Sequence, residues 1–169
     1  AAGNNGDGSG GIGTTNAINY PANFNHVIAV GATDSLDTKA GFSQYGTWID
    51  VMAPGVSMYS TLAFSKPYGR MDGTSMACPL TAGTVALLRS YKPLATPDQI
   101  EYCLKAGCDN IDAQNSTFIG QMGAGRINAL NSLLCLDNLM KVSENELLHV
   151  SFYPVPAKDY LNIDLPQSA

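Results

Sequence analysis

The sequence predicts an α/β fold in which a parallel β-sheet packs against helices. Two short, continuous apolar segments, 27–32 and 48–52, are typical of strands buried on both faces, as in parallel sheets. The segment from Ser75 to about Tyr91 is apolar or small on nearly every helical face, so we expect a central helix packed closely on all sides. Hydrophobic residues make up 45% of the 169 and charged residues 14%, which indicates a globular chain with a sizeable core.

Weaker patterns predict the remaining elements of this domain. We expect a more exposed strand at 56–62, paired with residues 68–71, and two further helices at 96–105 and 128–139. The first of these helices has a capping box, with Thr96 as N-cap and Gln99 three residues later, and Pro97 occupies its first position. Gly107 is a natural residue to follow its end.

The last part of the chain has a different pattern. Residues 141–149 are mostly polar and predict a linker. In residues 150–169 the pattern changes. Two prolines lie near the start of this segment, and its later part alternates between apolar and polar residues as a strand does. We therefore expect one domain over 1–140, a linker over 141–149, and the start of a β-rich module over 150–169.

Composition and charge exclude several classes of function. The net charge of −5 argues against nucleic acid as the main partner. No segment reaches the roughly 18 uninterrupted apolar residues that a membrane-spanning helix needs. The glycine-rich segment 3–13 lacks the Lys-Ser/Thr pair of a phosphate-binding loop, so we expect a surface loop there.

The four cysteines, Cys78, Cys103, Cys108 and Cys135, have no CxxC spacing, which argues against a zinc site. They are also too few and too scattered for a disulfide scaffold. A local disulfide between Cys103 and Cys108 and free buried thiols both fit the spacing, and the sequence leaves these alternatives open.

Ser75 is the residue best placed for nucleophilic catalysis. It follows Gly73 and Thr74 at the predicted start of the central helix, where free backbone N–H groups can stabilise a negatively charged oxygen. A serine hydroxyl also needs a general base beside it. The two histidines, His26 and His149, fit ordinary surface residues better than presented bases. Taken alone, Ser75 could equally be a helix N-cap.

The motif around Ser75 resembles the nucleophile motif of the subtilisin-like serine proteases, the subtilases. It reads Gly-Thr-Ser-Met-Ala-Cys-Pro over 73–79, and Ala-Ala-Gly-Asn over 1–4 resembles the oxyanion-hole motif of the same family. Further matching blocks lie in the same order between these motifs, at 20–22, 27–32, 42–43, 45–46 and 50–55. The resemblance covers roughly residues 1–137. It implies the C-terminal half of the catalytic domain, with helices on both faces of the parallel sheet.

The resemblance implies a serine endopeptidase that hydrolyses peptide bonds through an acyl-enzyme. Ser75 would be the nucleophile, and the oxyanion would be held by the side-chain amide of Asn4 and the backbone N–H of Ser75. The pocket for the substrate's P1 side chain would be formed by Ala1, Ala2 and Gly3, with Asn19 near its floor. A neutral residue at that floor implies no strong preference for a charged P1 side chain.

The implied chemistry requires no cofactor, but the family has a weak cation site. Here it would consist of a carboxylate and three backbone carbonyls, those of Asp50, Ala22, Phe24 and Val27. Such an oxygen set suits a structural Ca²⁺ or Na⁺ ion. The alternative is that Asp50 terminates a strand or caps a neighbouring loop.

One departure from the family decides what the chain can do alone. The subtilase triad runs Asp, His, Ser along the chain, so the Asp and His motifs precede the oxyanion Asn, which is residue 4 here. Neither motif is present in this sequence. We expect them on a missing N-terminal half of the protease domain, a partner without which this chain is inactive. The alternative function is a non-catalytic pseudoprotease or binding module on the same fold.

The tail carries a second resemblance. Segment 152–163, Phe-Tyr-Pro-Val-Pro-Ala-Lys-Asp-Tyr-Leu-Asn-Ile, is similar to the start of the C-terminal sorting domain read by the type IX (Por) secretion system. This implies a protein that is secreted or held at the cell surface. An ordinary linker followed by a β-strand is the alternative.

Overall fold

The structure, a computed structural model, describes residues 1–6, 18–63, 67–144, 151–153 and 162–164. The chain divides into two compact units, Ala1–Leu136 and Asp137–Ala169. The regular elements of the described residues are β1 (Val30–Thr33), β2 (Val51–Pro54), β3 (Met58–Thr61), β4 (Tyr68–Met71), α1 (Thr74–Tyr91), α2 (Pro97–Ala106), two 3₁₀ turns (Asp112–Gln114 and Ser116–Phe118), α3 (Ala129–Glu144), β5 (Ser151–Tyr153) and β6 (Asn162–Asp164). Most of the predicted linker 141–149 lies outside the described residues, so the predicted domain boundaries stay predictions.

The centre of the first unit is a parallel pair of strands, as predicted. β1 pairs with β2, with Val30 opposite Val51, and every residue of β1 is buried. Both strands start three residues later than predicted. β1 starts later because the N–H of Ala29 donates to the Asp50 carboxylate (2.7 Å) instead of to a neighbouring strand. Ala2 also donates its N–H to the Val30 carbonyl (2.8 Å), so the first residues of the chain lie beside β1.

The predicted exposed hairpin is confirmed. β3 and β4 are antiparallel, with Met58 opposite Met71 and Thr61 opposite Tyr68. Nearly all of its residues are exposed or half-buried, which agrees with the alternating pattern. The hairpin ends two residues before α1 begins, so it lies beside the start of that helix.

Helix α1 has the predicted bounds but not the predicted packing. Its buried residues are Thr74, Ala77, Thr81 and Leu88, a single stripe at helical spacing. This stripe packs on β1, β2 and α2. Leu87 on another face is 47% exposed. The prediction of a helix packed on all sides is therefore wrong for the described residues, because small apolar side chains permit close packing but do not supply a partner.

Helix α2 is capped as predicted. The Thr96 hydroxyl accepts from the Gln99 N–H (3.2 Å), and the Gln99 side chain accepts from the Thr96 N–H (2.8 Å). Gly107 follows the helix, but its φ of −83° is right-handed. Glycine is needed there for another reason, because a Cβ atom would come within 2.5 Å of the Ser132 backbone nitrogen on α3. α3 runs five residues further than predicted.

A disulfide joins Cys103 on α2 to Cys135 on α3, with their Cα atoms 5.4 Å apart. The prediction that left Cys103 either paired with Cys108 or free is therefore wrong. Cys108 and Cys78 are free thiols. Cys108 lies past the end of α2, where its S–H donates to the Leu104 carbonyl (3.3 Å) and burial raises its pKa to about 11.

The second unit contains one small sheet among its described residues. β5 and β6 are antiparallel, with Phe152 opposite Ile163. At the C-terminal part of α3, Lys141 pairs with Asp137 one turn earlier (2.5 Å). None of the helices in the described part of the chain is both long and apolar enough to cross a membrane.

Candidate active site

Ser75 is the second residue of α1, and it is exposed to solvent. The helix starts here because Gly73, with a φ of +152°, turns the backbone and donates its N–H to the carbonyl of Gly55 directly after β2 (2.8 Å). At the second helical position Ser75 has no earlier turn to supply an acceptor. Its backbone N–H therefore makes no hydrogen bond with another described residue, and stays available to a ligand.

The side chain of Asn4 is held in one orientation by Thr74. Its Oδ1 atom accepts from both the Thr74 N–H (2.9 Å) and the Thr74 hydroxyl (2.8 Å). The same hydroxyl accepts from the Gly3 N–H (3.1 Å). Because the carbonyl arm of the amide is occupied in this way, the NH₂ arm points away from Thr74, with both hydrogens available to donate.

The two predicted oxyanion donors converge on one small space beside Gly73. A Cβ atom on Gly73 would lie 3.3 Å from Nδ2 of Asn4 and 3.6 Å from the backbone nitrogen of Ser75. The same point lies 3.5 Å from Sδ of Met76. Because residue 73 has no side chain, a negatively charged oxygen could lie just outside that point, in van der Waals contact with the Gly73 backbone, with both N–H donors nearby.

The structure brings three of the four predicted P1-pocket residues into direct contact. The Asn19 amide donates to the Ala2 carbonyl (2.7 Å), and there is no room for a side chain on Gly3 because Asn19 lies against it. Ala2 itself is fully buried in a core cluster with Met52, so only its backbone can border a pocket. Ala1 is exposed.

A cleft of about 290 Å³ runs from Ser75 along the β3–β4 hairpin. It is lined by Ser75, Met76, Pro79 and Leu80 from α1 and by Met58, Tyr59, Ser60, Thr61 and Met71 from the hairpin. No residue of the hairpin was among the predicted site residues. The short link between Met71 and Thr74 could have indicated one, because two intervening residues require β4 to end beside the start of α1.

No general base lies beside Ser75 in the described residues. Its hydroxyl makes no hydrogen bond with a described side chain. His26 is exposed and lines a separate cleft along the middle of α1, with Cys78, Thr81 and Val85. His149 lies outside the described residues. The structure therefore gives His26 no place in the candidate site.

The geometry at the predicted cation site does not fit a metal ion at Asp50. One carboxylate oxygen accepts from the Ala29 N–H (2.7 Å), and the other forms an ion pair with Lys105 (2.7 Å). Both oxygens are thus in use, which agrees with the alternative in which Asp50 caps a neighbouring segment. Ala22, Phe24 and Val27 do line a polar cavity of about 220 Å³ that also borders Asp50 and Glu101. No group of three His, Cys, Asp or Glu side chains in the described ranges is close enough to hold a metal.

Comparison with known proteins gives a consistent result. The sequence profile of the subtilase family (peptidase S8) matches residues 1–125. Subtilisin DY from Bacillus licheniformis is 46% identical over 111 residues, which are 66% of this chain and 39% of that protein. A solved protease from Pseudoalteromonas arctica PAMC 21717 matches 80% of this chain and 41% of its own, with 33% identity and a TM-score of 0.64. The prenylagaramide maturation protease PagA matches 80% of this chain and 48% of its own, with 25% identity and a TM-score of 0.69.

This chain spans less than half the length of each of these relatives. The matched region includes both Asn4 and Ser75 and ends shortly before α3. The comparison of sequences and the comparison of folds agree with each other. The chain therefore belongs to the subtilase family of serine proteases.

Proposed function

We propose that this chain carries the nucleophile and the oxyanion hole of a subtilisin-like serine endopeptidase. The observation that supports this most directly is the convergence of the Asn4 amide and the Ser75 N–H on the free space beside Gly73. The Ser75 oxygen would attack the carbonyl carbon of a peptide bond while its proton passes to a histidine. The carbonyl oxygen, now negatively charged, would occupy the space beside Gly73.

The second half of the reaction would use the same groups. The tetrahedral intermediate breaks the C–N bond, the histidine returns its proton to the leaving amine, and an ester on Ser75 remains. Water then attacks this ester with the same histidine as base, and the acid product leaves. Ala1, the Ala2 backbone, Gly3 and Asn19 would border the side chain that precedes the cleaved bond.

The histidine and its aspartate would come from an N-terminal part of the protease domain outside this chain. Two features of the structure support this. Ala2 is hydrogen-bonded to β1, so a strand leading into Ala1 would continue the parallel sheet at that edge. The uncovered face of α1, including the half-exposed Leu87, would then have a partner. Without that part, we expect the chain to be inactive.

A fluorophosphonate probe tests this proposal on the intact protein. We expect covalent labelling at Ser75 in the parent and none in Ser75→Ala. In Asn4→Ala, kcat for a peptide substrate should fall about 10²–10³-fold, the loss already measured for this type of donor in subtilisin itself.

Ser90→Ala, a change at an exposed serine near the other end of α1, is the matched control and should label as the parent does. Labelling that persists in Ser75→Ala would contradict the proposal. So would an intact protein that contains the Asp and His motifs but fails to react.

We further propose that the tail is the start of a type IX secretion sorting domain and that the protein is secreted or held at the cell surface. The antiparallel pairing of β5 with β6 supports a β-rich module in this region. The Cys103–Cys135 disulfide supports an oxidising compartment, because such bonds are rare in the reducing cytosol.

A further inference from the structure

We infer that the ammonium group of Lys105 takes the place of a bound metal cation beside the loop 22–27. The inference rests on a side chain from α2 that reaches the carboxylate of Asp50, at the start of β2. It concerns the stability of the fold and does not depend on the chemistry proposed for Ser75.

Asp50 is the acidic group around which a cation site would form, and its position is fixed from several sides. Its backbone N–H donates to the Ala29 carbonyl (3.0 Å), and its carbonyl accepts from the Ala124 N–H (2.9 Å). Its Oδ2 atom accepts from the Ala29 N–H (2.7 Å). The remaining oxygen, Oδ1, lies 2.7 Å from Nζ of Lys105. The carboxylate oxygen that accepts no backbone hydrogen bond is thus paired with a cation that belongs to the protein.

Lys105 is also paired with a second carboxylate. Glu101 lies one turn earlier on α2, with its Oε1 atom 2.7 Å from Nζ of Lys105. A lysine side chain is charged at neutral pH, so the ammonium is held between the two carboxylates by both contacts.

The helix that carries Lys105 is held rigidly. Its N-terminus is closed by the Thr96–Gln99 capping box, and the disulfide at Cys103 ties its second half to α3. Because α2 is held in place, its Lys105 ammonium lies at a fixed position, as a coordinated metal ion would. Lys105 also connects α2 to the start of β2, which is the structural task of a bound ion.

The cavity beside this pair explains why a metal would otherwise bind. It is lined by residues 22–27, by Trp48, and by both Asp50 and Glu101. Two carboxylates and one ammonium leave a single net negative charge there. A calcium ion needs six to eight oxygen ligands and would have to lie close to the like charge of Lys105. Without the ammonium, the carboxylates of Asp50 and Glu101 would both face this polar cavity, and a metal cation could bind between them.

The test uses Tb³⁺, a luminescent substitute for Ca²⁺, and the position of Trp48 in the cavity wall. Tryptophan excitation transfers to a Tb³⁺ ion bound nearby, so emission reports this site. We expect no saturable emission from it in the intact parent protein. In Lys105→Met we expect saturable emission with a dissociation constant of about 10⁻⁴–10⁻³ M, the range of weak extracellular calcium sites. Unlabelled Ca²⁺ should compete.

Two further variants assign the signal to this site. Lys105→Met combined with Asp50→Asn should lose the emission, because the carboxylate is gone. Lys105→Arg keeps a positive charge and should behave as the parent does. In thermal unfolding, Lys105→Met should have a higher Tm in Ca²⁺ than in EDTA. The Lys105→Met, Asp50→Asn double variant should have the same Tm in both.

Two results would overturn the inference. The first is saturable Tb³⁺ emission in the parent that Asp50→Asn removes, since a metal would then bind beside Lys105. The second is a folded Lys105→Met protein that neither binds Tb³⁺ nor gains stability from Ca²⁺. In that case the ammonium would be only an ion-pair partner.

Discussion

At the scale of single residues, the candidate site depends on how Thr74 orients its neighbour. The motif around Ser75 predicts the nucleophile, but the direction of the Asn4 amide follows from two hydrogen bonds that Thr74 donates to it. If the amide were turned round, its oxygen would face the space beside Gly73 and would repel an oxyanion. Thr74 is therefore a positioning residue for the second donor.

Thr74→Val tests this role, because valine keeps the shape and loses the hydroxyl. The Thr74 N–H can still hold Asn4, so the loss should be partial. We expect kcat to fall about tenfold, since one hydrogen bond contributes roughly 0.5–1.5 kcal/mol. KM should change little, and Thr74→Ser should recover most of the rate. Steady-state kinetics on the intact protein measure both quantities. A rise in KM at unchanged kcat would show that Thr74 contacts substrate instead.

At the scale of elements, α2 is positioned by contacts at both of its ends. The capping box fixes where the helix begins and could be predicted from three neighbouring residues. The link to α3 could not, because Cys103 and Cys135 are 32 positions apart and belong to different helices. The need for glycine at position 107 could not be predicted from neighbouring residues either. It arises because Ser132 of α3 approaches so closely that a side chain on residue 107 would not fit.

Removal of this disulfide should destabilise the first unit. The Cys103→Ala, Cys135→Ala double variant loses a cross-link that closes a loop of about 33 residues, for which chain entropy predicts roughly 3–4 kcal/mol. Denaturant unfolding should show a lower midpoint, and a reducing agent should lower the parent's midpoint but leave the variant's unchanged. Cys108→Ala is the control and should respond to reduction as the parent does. Equal stability of parent and double variant would contradict the prediction.

At the scale of the whole molecule, the chain matches part of the length of its subtilase relatives and divides into two compact units. The matched relatives are more than twice as long as the region they share with it. Among the described residues, the buried side chains of α1 form a single stripe, and Ala2 donates its backbone N–H to β1. The second unit has its own antiparallel pair of strands.

The proposed role of the tail predicts where the protein is found. In the producing cell, deletion of everything from residue 150 onward should prevent release to the surface or the medium. The protease domain should still fold, because the deleted part belongs to a separate unit. Immunodetection in cell and medium fractions measures the outcome. Ser75→Ala, inactive but with its tail, is the control and should be exported. Release of the truncated protein would contradict the sorting role.

The sequence by itself determined the parts of this protein that depend on neighbouring residues. Buried strands, the exposed hairpin, the bounds of α1 and the cap of α2 all follow from local periodicity and turn chemistry. Asn4 and Ser75 could be found together only because each lies in a distinct motif of the same family. Their separate positions in the sequence say nothing about the distance between them.

Only the tertiary structure decided which distant side chains meet. It placed the Asn4 amide and the Ser75 N–H on one space beside Gly73. It paired Cys103 with Cys135 and gave the Asp50 carboxylate an ammonium partner where the sequence had suggested a metal. Among the described residues, it also left Leu87 of α1 about half exposed. Each of these depends on how helices and strands pack against each other, and local patterns do not record that packing.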